Sequence, residues 1–231
     1  MAGILYAIPT PLGGTAADAL PASALETVKT LKYFVVENAK TARAFLKAVG
    51  MPCAIQDLDI AVLEADVSQH IKRLQEEHSI GLLSEAGCPA IADPGAALAE
   101  AAQREGIRVV PLIGPSSIVL ALMASGLEGQ RFAFCGYLPR DAEDRKKKIR
   151  ELEARSRQER DTPIFIETPY RNDVLFASLL EVSSETTLLC LATDLTLPTE
   201  HIETRSVTRW RASRHVIGKR PTVFLLLSVN R

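Results

Sequence analysis

The residues with the most chemical potential lie in Ser84-Glu85-Ala86-Gly87-Cys88-Pro89-Ala90-Ile91-Ala92-Asp93-Pro94-Gly95. The apolar run Ile80-Gly81-Leu82-Leu83 leads into this stretch and a helical pattern, Ala96 to Arg104, leads out. It is therefore a loop at the carboxyl end of a predicted strand, where open α/β sheets bind ligands. Its two glycines and two prolines fix an unusual backbone path. Asp93 before Pro94 suits the cap-then-proline start of a helix. Taken alone, the loop is equally an ordinary β-to-α connection. A second loop, Ile113-Gly114-Pro115-Ser116-Ser117, joins a predicted strand to an apolar helix. Free N–H groups and hydroxyls there suit a polar or anionic ligand group. Helix capping accounts for one of the two serines but not obviously for both. A third, Pro9-Thr10-Pro11-Leu12-Gly13-Gly14, is too rich in proline and glycine for regular structure and lets a ligand approach the backbone.

Regular elements must carry these loops. Ile4-Leu5-Tyr6-Ala7-Ile8 and Tyr33-Phe34-Val35-Val36 read as buried strands, the second ending at Glu37. Helical spacing runs from Ala17 to Thr30, from Thr41 to Val49 before Gly50 and Pro52, and from Val67 to Glu77. Ile107 to Leu112 and Phe132 to Gly136 are further strands, with an apolar helix, Ile118 to Ala124, between them. Strands alternating with helices imply a mostly parallel sheet. Tyr137-Leu138-Pro139 reads as a boundary, followed by a charged helix, Asp141 to Arg160. Beyond it lie four strands, Pro163–Ile166, Thr187–Leu191, Ile202–Val207 and Thr222–Leu227, and a helix, Asn172–Leu180. The last three strands have little helix between them, which favours antiparallel pairing. The fold class is α/β with two αβ domains: residues 1–137 around a mostly parallel sheet, and residues 138–231 around a mixed one.

The 231 residues suffice for one large or two small cores. At 47% hydrophobic and 24% charged, the composition is that of an ordinary soluble protein, with no apolar run approaching a membrane span. Met1 to Thr10 has neither the basic start nor the apolar core of a signal peptide, so a cytoplasmic location is expected. Four dispersed cysteines (53, 88, 135 and 190) and four scattered histidines have no metal-ligand spacing; reduced thiols and no metal are expected. Charge is uneven. Residues 1–130 hold 9 Lys/Arg against 14 Asp/Glu, and residues 131–231 hold 18 against 14. Seven basic and no acidic residues follow Glu203. That asymmetry fits either a polyanionic partner or a solvated surface. No GxGxxG follows the first strand, which disfavours a Rossmann-type dinucleotide site.

Five blocks in register carry a family resemblance. They are Ile8-Pro9-Thr10-Pro11-Leu12-Gly13, Leu83-Ser84-Glu85-Ala86-Gly87-Cys88-Pro89 with Asp93-Pro94-Gly95, Val109 to Ser117, Phe165-Ile166-Glu167-Thr168-Pro169-Tyr170-Arg171, and Leu191-Ala192-Thr193-Asp194-Leu195-Thr196. Together they resemble the tetrapyrrole-methylase superfamily of class III S-adenosylmethionine-dependent methyltransferases. The most similar branch is the small-subunit ribosomal RNA methyltransferase I group, which methylates a cytidine 2′-hydroxyl. The resemblance implies S-adenosylmethionine as donor, S-adenosylhomocysteine as product, a cofactor cleft between two αβ domains, a homodimer and a small-subunit rRNA acceptor. It carries cofactor roles onto Pro9, Ser84, Glu85, Ala86, Gly87, Ser116, Ser117, Glu167, Tyr170, Ala192, Thr193, Pro221 and Thr222. Alternatives within the resemblance are methylation of a tetrapyrrole or other small molecule, or cofactor binding without catalysis.

A ribose hydroxyl is a weak nucleophile that gains from a general base, for which Glu37 and Glu167 are the candidates. Lys40, Arg43 and Arg171 are candidates for holding a phosphate. Each has a bland alternative: Glu37 as a cap or surface ion pair, and Glu167 with Arg171 as a pair across a helix start. An RNA acceptor also implies contact with Arg205, Arg209, Arg211 and Arg214. The branch usually carries Glu-Asp-Thr-Arg after its second strand, where this chain has Glu37-Asn38-Ala39-Lys40, with Thr41 and Arg43 following. It often extends well beyond the last strand, so some RNA-holding surface is expected to be missing from a chain that stops at Arg231.

Overall fold

The computed structural model describes residues 2–228, which form two compact units, one up to Ser116 and one from Ser117. The sequence placed the boundary after Tyr137. The contacts place it after Ser116 because the apolar helix that follows packs on the sheet of the second unit.

The first unit contains strands β1 (Leu5–Ile8), β2 (Tyr33–Val36), β3 (Asp59–Val62), β4 (Ile80–Leu83) and β5 (Val109–Pro111). They form one sheet in the order β3-β2-β4-β1-β5, parallel throughout. Helices α1 (Ala16–Ala19), α2 (Ala22–Lys29) and α3 (Ala39–Val49) belong to this unit, as do α4 (Ser68–Gln75) and α5 (Ala96–Arg104). Two apolar layers form, one on each face. Ile8, Phe34, Val36 and Leu83 meet Leu20, Val28, Phe45 and Leu46 from α1 to α3 and their connections. Leu5, Val35, Ile80 and Leu82 meet Leu74 of α4 and Leu98 and Ala102 of α5. Burial on both faces explains why these strands read as unbroken apolar runs.

Three local features differ from the sequence expectation. The single helix expected from Ala17 to Thr30 is two, because Pro21 cannot continue a helix and begins a new one. Strand β3 was not expected: it is an edge strand, half-exposed, built on the short apolar run Ile60-Ala61-Val62 that continues into Leu63. Helix α5 is capped by Gly95 at φ 129° rather than by Asp93, which leaves Asp93 for another role. By contrast, Gly50 closes α3 in the left-handed conformation, as its position implied.

The second unit opens with α6 (Ser117–Ser125), which packs on one face of a five-stranded sheet. Its strands are β6 (Phe132–Tyr137), β7 (Thr162–Ile166), β8 (Leu188–Thr193), β9 (His201–Ser206) and β10 (Thr222–Leu227). The order is β6-β7-β10-β8-β9, with β6 and β7 parallel and the other pairs antiparallel. The opposite face carries α7 (Ala142–Glu159), α8 (Asn172–Val182) and α9 (Val207–Arg211) around Phe165, Phe176, Leu191, Trp210 and Phe224. Trp210 is fully buried and its indole N–H donates to the Leu189 carbonyl at 2.8 Å.

Gly81, in the central strand β4, has no room for a side chain. A Cβ there would lie 2.7 Å from Ile8 Cδ1 and 2.8 Å from Phe34 Cδ1. Gly81→Ala is expected to destabilise the first unit by about 1–3 kcal/mol through overpacking. Chemical denaturation followed by hydrogen exchange within β1, β2 and β4 checks this; unchanged protection there would contradict it.

Candidate active site

Parallel register aligns the ends of the central strands in the first unit. Ile8 pairs with Leu83, and Val36 also pairs with Leu83. The next residues, Pro9, Ser84 and Glu37, therefore emerge side by side at the carboxyl edge. The loops then lock together. Thr10 and Gly87 exchange both backbone hydrogen bonds, at 2.9 and 3.0 Å. The Thr10 hydroxyl donates to the Ser84 carbonyl at 3.4 Å, and the Ser84 hydroxyl to the Gly87 carbonyl at 3.3 Å. Gly87 has φ 78°, which favours glycine. Gly114 in the loop after β5 touches the Pro9–Gly14 loop so closely that a Cβ would fall 2.4 Å from Pro9 Cβ. The Cys88 thiol donates to the Pro115 carbonyl at 3.4 Å, joining the Ser84–Gly95 loop to the loop after β5. All three motif loops of the first unit thus meet.

Carboxylates surround this junction. Glu37 Oε2 accepts the Glu85 N–H at 3.0 Å, and the Thr41 hydroxyl donates to Glu85 Oε1 at 3.4 Å. Burial, followed by the neighbouring Glu37 and Glu85, pushes Asp93 up to about 6, against an opposing hydrogen bond from Ser84. Asp93 is the site residue that sequence reasoning assigned differently: the Asp-Pro pair signals a helix cap, and only the folded loop brings Asp93 back beside Glu37. Asn38 caps α3, its side chain accepting the Lys40 N–H at 2.9 Å. Lys40 and Arg43 are exposed on the first turns of α3, with no ion pair among the described residues. Ala86 is exposed in the loop, and Ser116 is half-buried at the end of the unit.

In the second unit, pairing brings another set together. Val223 of β10 pairs with Ile166 of β7, and Thr222 pairs with Thr193 of β8. Glu167, Thr193, Pro221 and Thr222 therefore share one end of the sheet. The buried Thr193 and Thr222 hydroxyls lie 3.2 Å apart, and Ala192 is buried beside Thr193. Asp194 holds this end in shape: its Oδ2 accepts from Arg220 Nε at 2.7 Å and from the Thr199 hydroxyl at 2.8 Å. Buried Glu167 is hydrogen-bonded through one carboxylate oxygen, while the other has an ion pair and no hydrogen bond. Its Oε1 accepts the Thr168 N–H at 2.7 Å, and its Oε2 faces Arg171 Nη2 at 3.1 Å. Tyr170 is exposed, with Lys219 Nζ 5.0 Å from its ring centre. Ser117 is the half-buried first residue of α6.

Of the basic residues near the end of the chain, Arg205 donates to Glu203 at 2.6 Å and lies over the Trp210 ring. Arg211 is held by the Leu180 and Ser183 carbonyls at 2.8 and 3.0 Å. Arg209 and Arg214 are exposed without a side-chain partner among the described residues, and Arg231 lies outside them. Among the described residues, no group of three or more His, Cys, Asp or Glu could hold a metal ion, and no helix is long and apolar enough to cross a membrane.

Residues 5–209 match the family of Tetrapyrrole (Corrin/Porphyrin) Methylases, and the chain belongs to that family. By that membership it is an S-adenosylmethionine-dependent methyltransferase. It is 32% identical over 200 residues to the Ribosomal RNA small subunit methyltransferase I of Escherichia coli O157:H7, covering 87% of this chain and 68% of that protein. The protein of the same name from Leptospira biflexa is 29% identical over 224 residues, covering 97% of this chain and 90% of its own length. Among solved structures, a diphthine synthase aligns with a TM-score of 0.67 at 15% identity, over 97% of this chain and 89% of the other. The methyltransferase CobJ aligns with a TM-score of 0.64 at 16% identity, over 100% and 97%. These likenesses establish the fold expected from the sequence.

Asp93 makes stability pH-dependent. Its folded-state pKa lies above its ordinary value of 3.8, so the wild-type chain loses stability as pH rises from about 4 through about 6. Asp93→Asn removes that loss. It is expected to stabilise the chain by about 1 kcal/mol at pH 8, allowing for solvent screening at this half-exposed site, and not near pH 4. Thermal unfolding at both pH values checks this; an equal shift at both would contradict it.

Proposed function

We propose that this chain transfers a methyl group from S-adenosylmethionine to small-subunit ribosomal RNA. The observation that carries the reading is the 32% identity over 200 residues to a protein named for that reaction. The exposed cations Lys40 and Arg43 beside the loop junction also favour a phosphate-bearing acceptor over a small apolar one. An rRNA acceptor goes with a cytoplasmic location. Exposed apolar side chains, among them Ile113, Met123 and Val216, are compatible with a homodimer.

The residues present suit the donor. Its sulfonium and ammonium charges are complemented by the Asp93 carboxylate, which burial and then the neighbouring Glu37 and Glu85 raise to about 6 and whose charged form a bound cation favours. The donor, when bound, supplies an already activated methyl group. Pro9, Ser84, Glu85, Ala86, Gly87 and Ser116 of the first unit contribute to holding it, as do Ser117, Tyr170, Ala192, Thr193, Pro221 and Thr222 of the second. The locked loops offer preorganised backbone groups, and positioning can account for much of the acceleration of an in-line transfer. Glu37 is the better general base. It is half-buried at the open end of β2 with one oxygen on the Glu85 N–H, whereas Glu167 is buried against Arg171 and Thr168. For the same reason Arg171 orients Glu167, and Lys40 and Arg43 take the phosphates.

Radiolabelled S-adenosylmethionine and ribosomal small subunits from cells lacking this protein test the reading. Label is expected in small-subunit RNA; label confined to small molecules would overturn it. Glu37→Gln is expected to lower kcat on that RNA by about 100-fold with donor affinity unchanged. Full activity in that variant would remove Glu37 as base.

A further inference from the structure

One cavity in the first unit remains without a role. It measures about 280 Å³ and lies between α3 and the Pro9–Gly14 loop. Thr41, Ala44, Phe45 and Ala48 line it from one side of α3, Pro11 and Ala16 lie opposite, and Ser84 and Glu85 close its end. The small residues on α3 leave a slot beside the Phe45 ring. The volume lies just below the range of sites for drug-sized ligands and suits a single heterocycle. The one charged residue in its lining, Glu85, carries a carboxylate steadied by the Thr41 hydroxyl. That carboxylate repels phosphate and accepts from an N–H edge.

The next side of the same helix has the opposite charge. Lys40, Arg43 and Lys47 recur at three- and four-residue intervals, all exposed and without ion pairs among the described residues. Successive residues of an α-helix turn through about 100°, so the exposed stripe meets the cavity side where Lys40 flanks Ala44, with Ala42 lining the cavity at its other edge. A basic stripe beside a small cavity with a carboxylate at its end matches one chemistry: a polynucleotide strand with its phosphates on the stripe and one unstacked base in the cavity.

We propose that this cavity is an acceptor subsite. It takes a single unstacked nucleobase presenting an amino group to Glu85, while Lys40, Arg43 and Lys47 hold the flanking phosphates. The inference rests on the RNA reading above and assigns the Glu85 carboxylate to the acceptor rather than to the donor.

Filling the slot tests it. Ala44 and Ala48 are exposed helix positions that accept leucine well. In Ala44→Leu/Ala48→Leu, KM for small-subunit RNA is expected to rise about tenfold or more, the scale of one lost base contact. Donor affinity by calorimetry is expected to stay within twofold. An unchanged KM would overturn the subsite, and a parallel loss of donor affinity would reassign the cavity to the donor. Lys47→Glu, exposed and remote from the core, provides the check if the double variant folds poorly. It is expected to raise KM and flatten its salt dependence, and no change in either would overturn the stripe. Failure of the wild-type protein to label any RNA would instead sink the RNA reading itself.

Discussion

The candidate site depends on one constraint, the parallel register that sets Ile8, Leu83 and Val36 level across the first sheet. Side-chain direction alternates along a strand, so slipping one strand by a residue would turn its apolar set from one layer to the other. Burial on both faces therefore fixes the register, and the register fixes where Pro9, Ser84 and Glu37 emerge. The backbone exchange between Thr10 and Gly87 then carries the alignment into the loops. The same logic runs in the second unit, where antiparallel pairing of β10 with β7 and β8 brings Glu167 level with Thr193 and Thr222.

Electrostatics divides the labour among these residues. Burial first, and then the neighbouring Glu37 and Glu85, raise Asp93 to about 6, and an approaching cation favours its charged form. Glu167, by contrast, already has its cation in Arg171 and its donor in Thr168. Two carboxylates that look alike as end-of-strand residues are therefore unlike in availability. Asn38, where relatives in the resembling branch carry aspartate, still caps α3. Capping needs only a side-chain oxygen, so the helix bearing Lys40 and Arg43 keeps its start without the extra negative charge.

Much of this was legible in the chain itself. Apolar runs gave both sheets, and proline, glycine and serine clusters at their ends gave the loops, because those residues have steric requirements that act locally. Strand β3 escaped although Ile60-Ala61-Val62-Leu63 is apolar, because the run is short and flanked by acidic residues at Asp57, Asp59 and Glu64. The unit boundary was displaced because α6 is so apolar that its sequence says it is covered without saying by which sheet. Asp93 was read as a cap because its neighbours in sequence are Ala92 and Pro94, whereas its neighbours in space are Glu37 and Glu85. The tie between Glu167 and Arg171 was visible as an i, i+4 spacing, and only the fold made it a commitment.

The central claim is that the locked loops of the first unit hold the methyl donor. Hydrogen exchange with and without saturating S-adenosylmethionine tests it most directly. The account predicts slower exchange in peptides covering residues 9–14, 84–88 and 113–117, with residues 55–62 at the far edge of the sheet unchanged. Protection confined to other segments, with those three loops exchanging as fast as in the free protein, would contradict it.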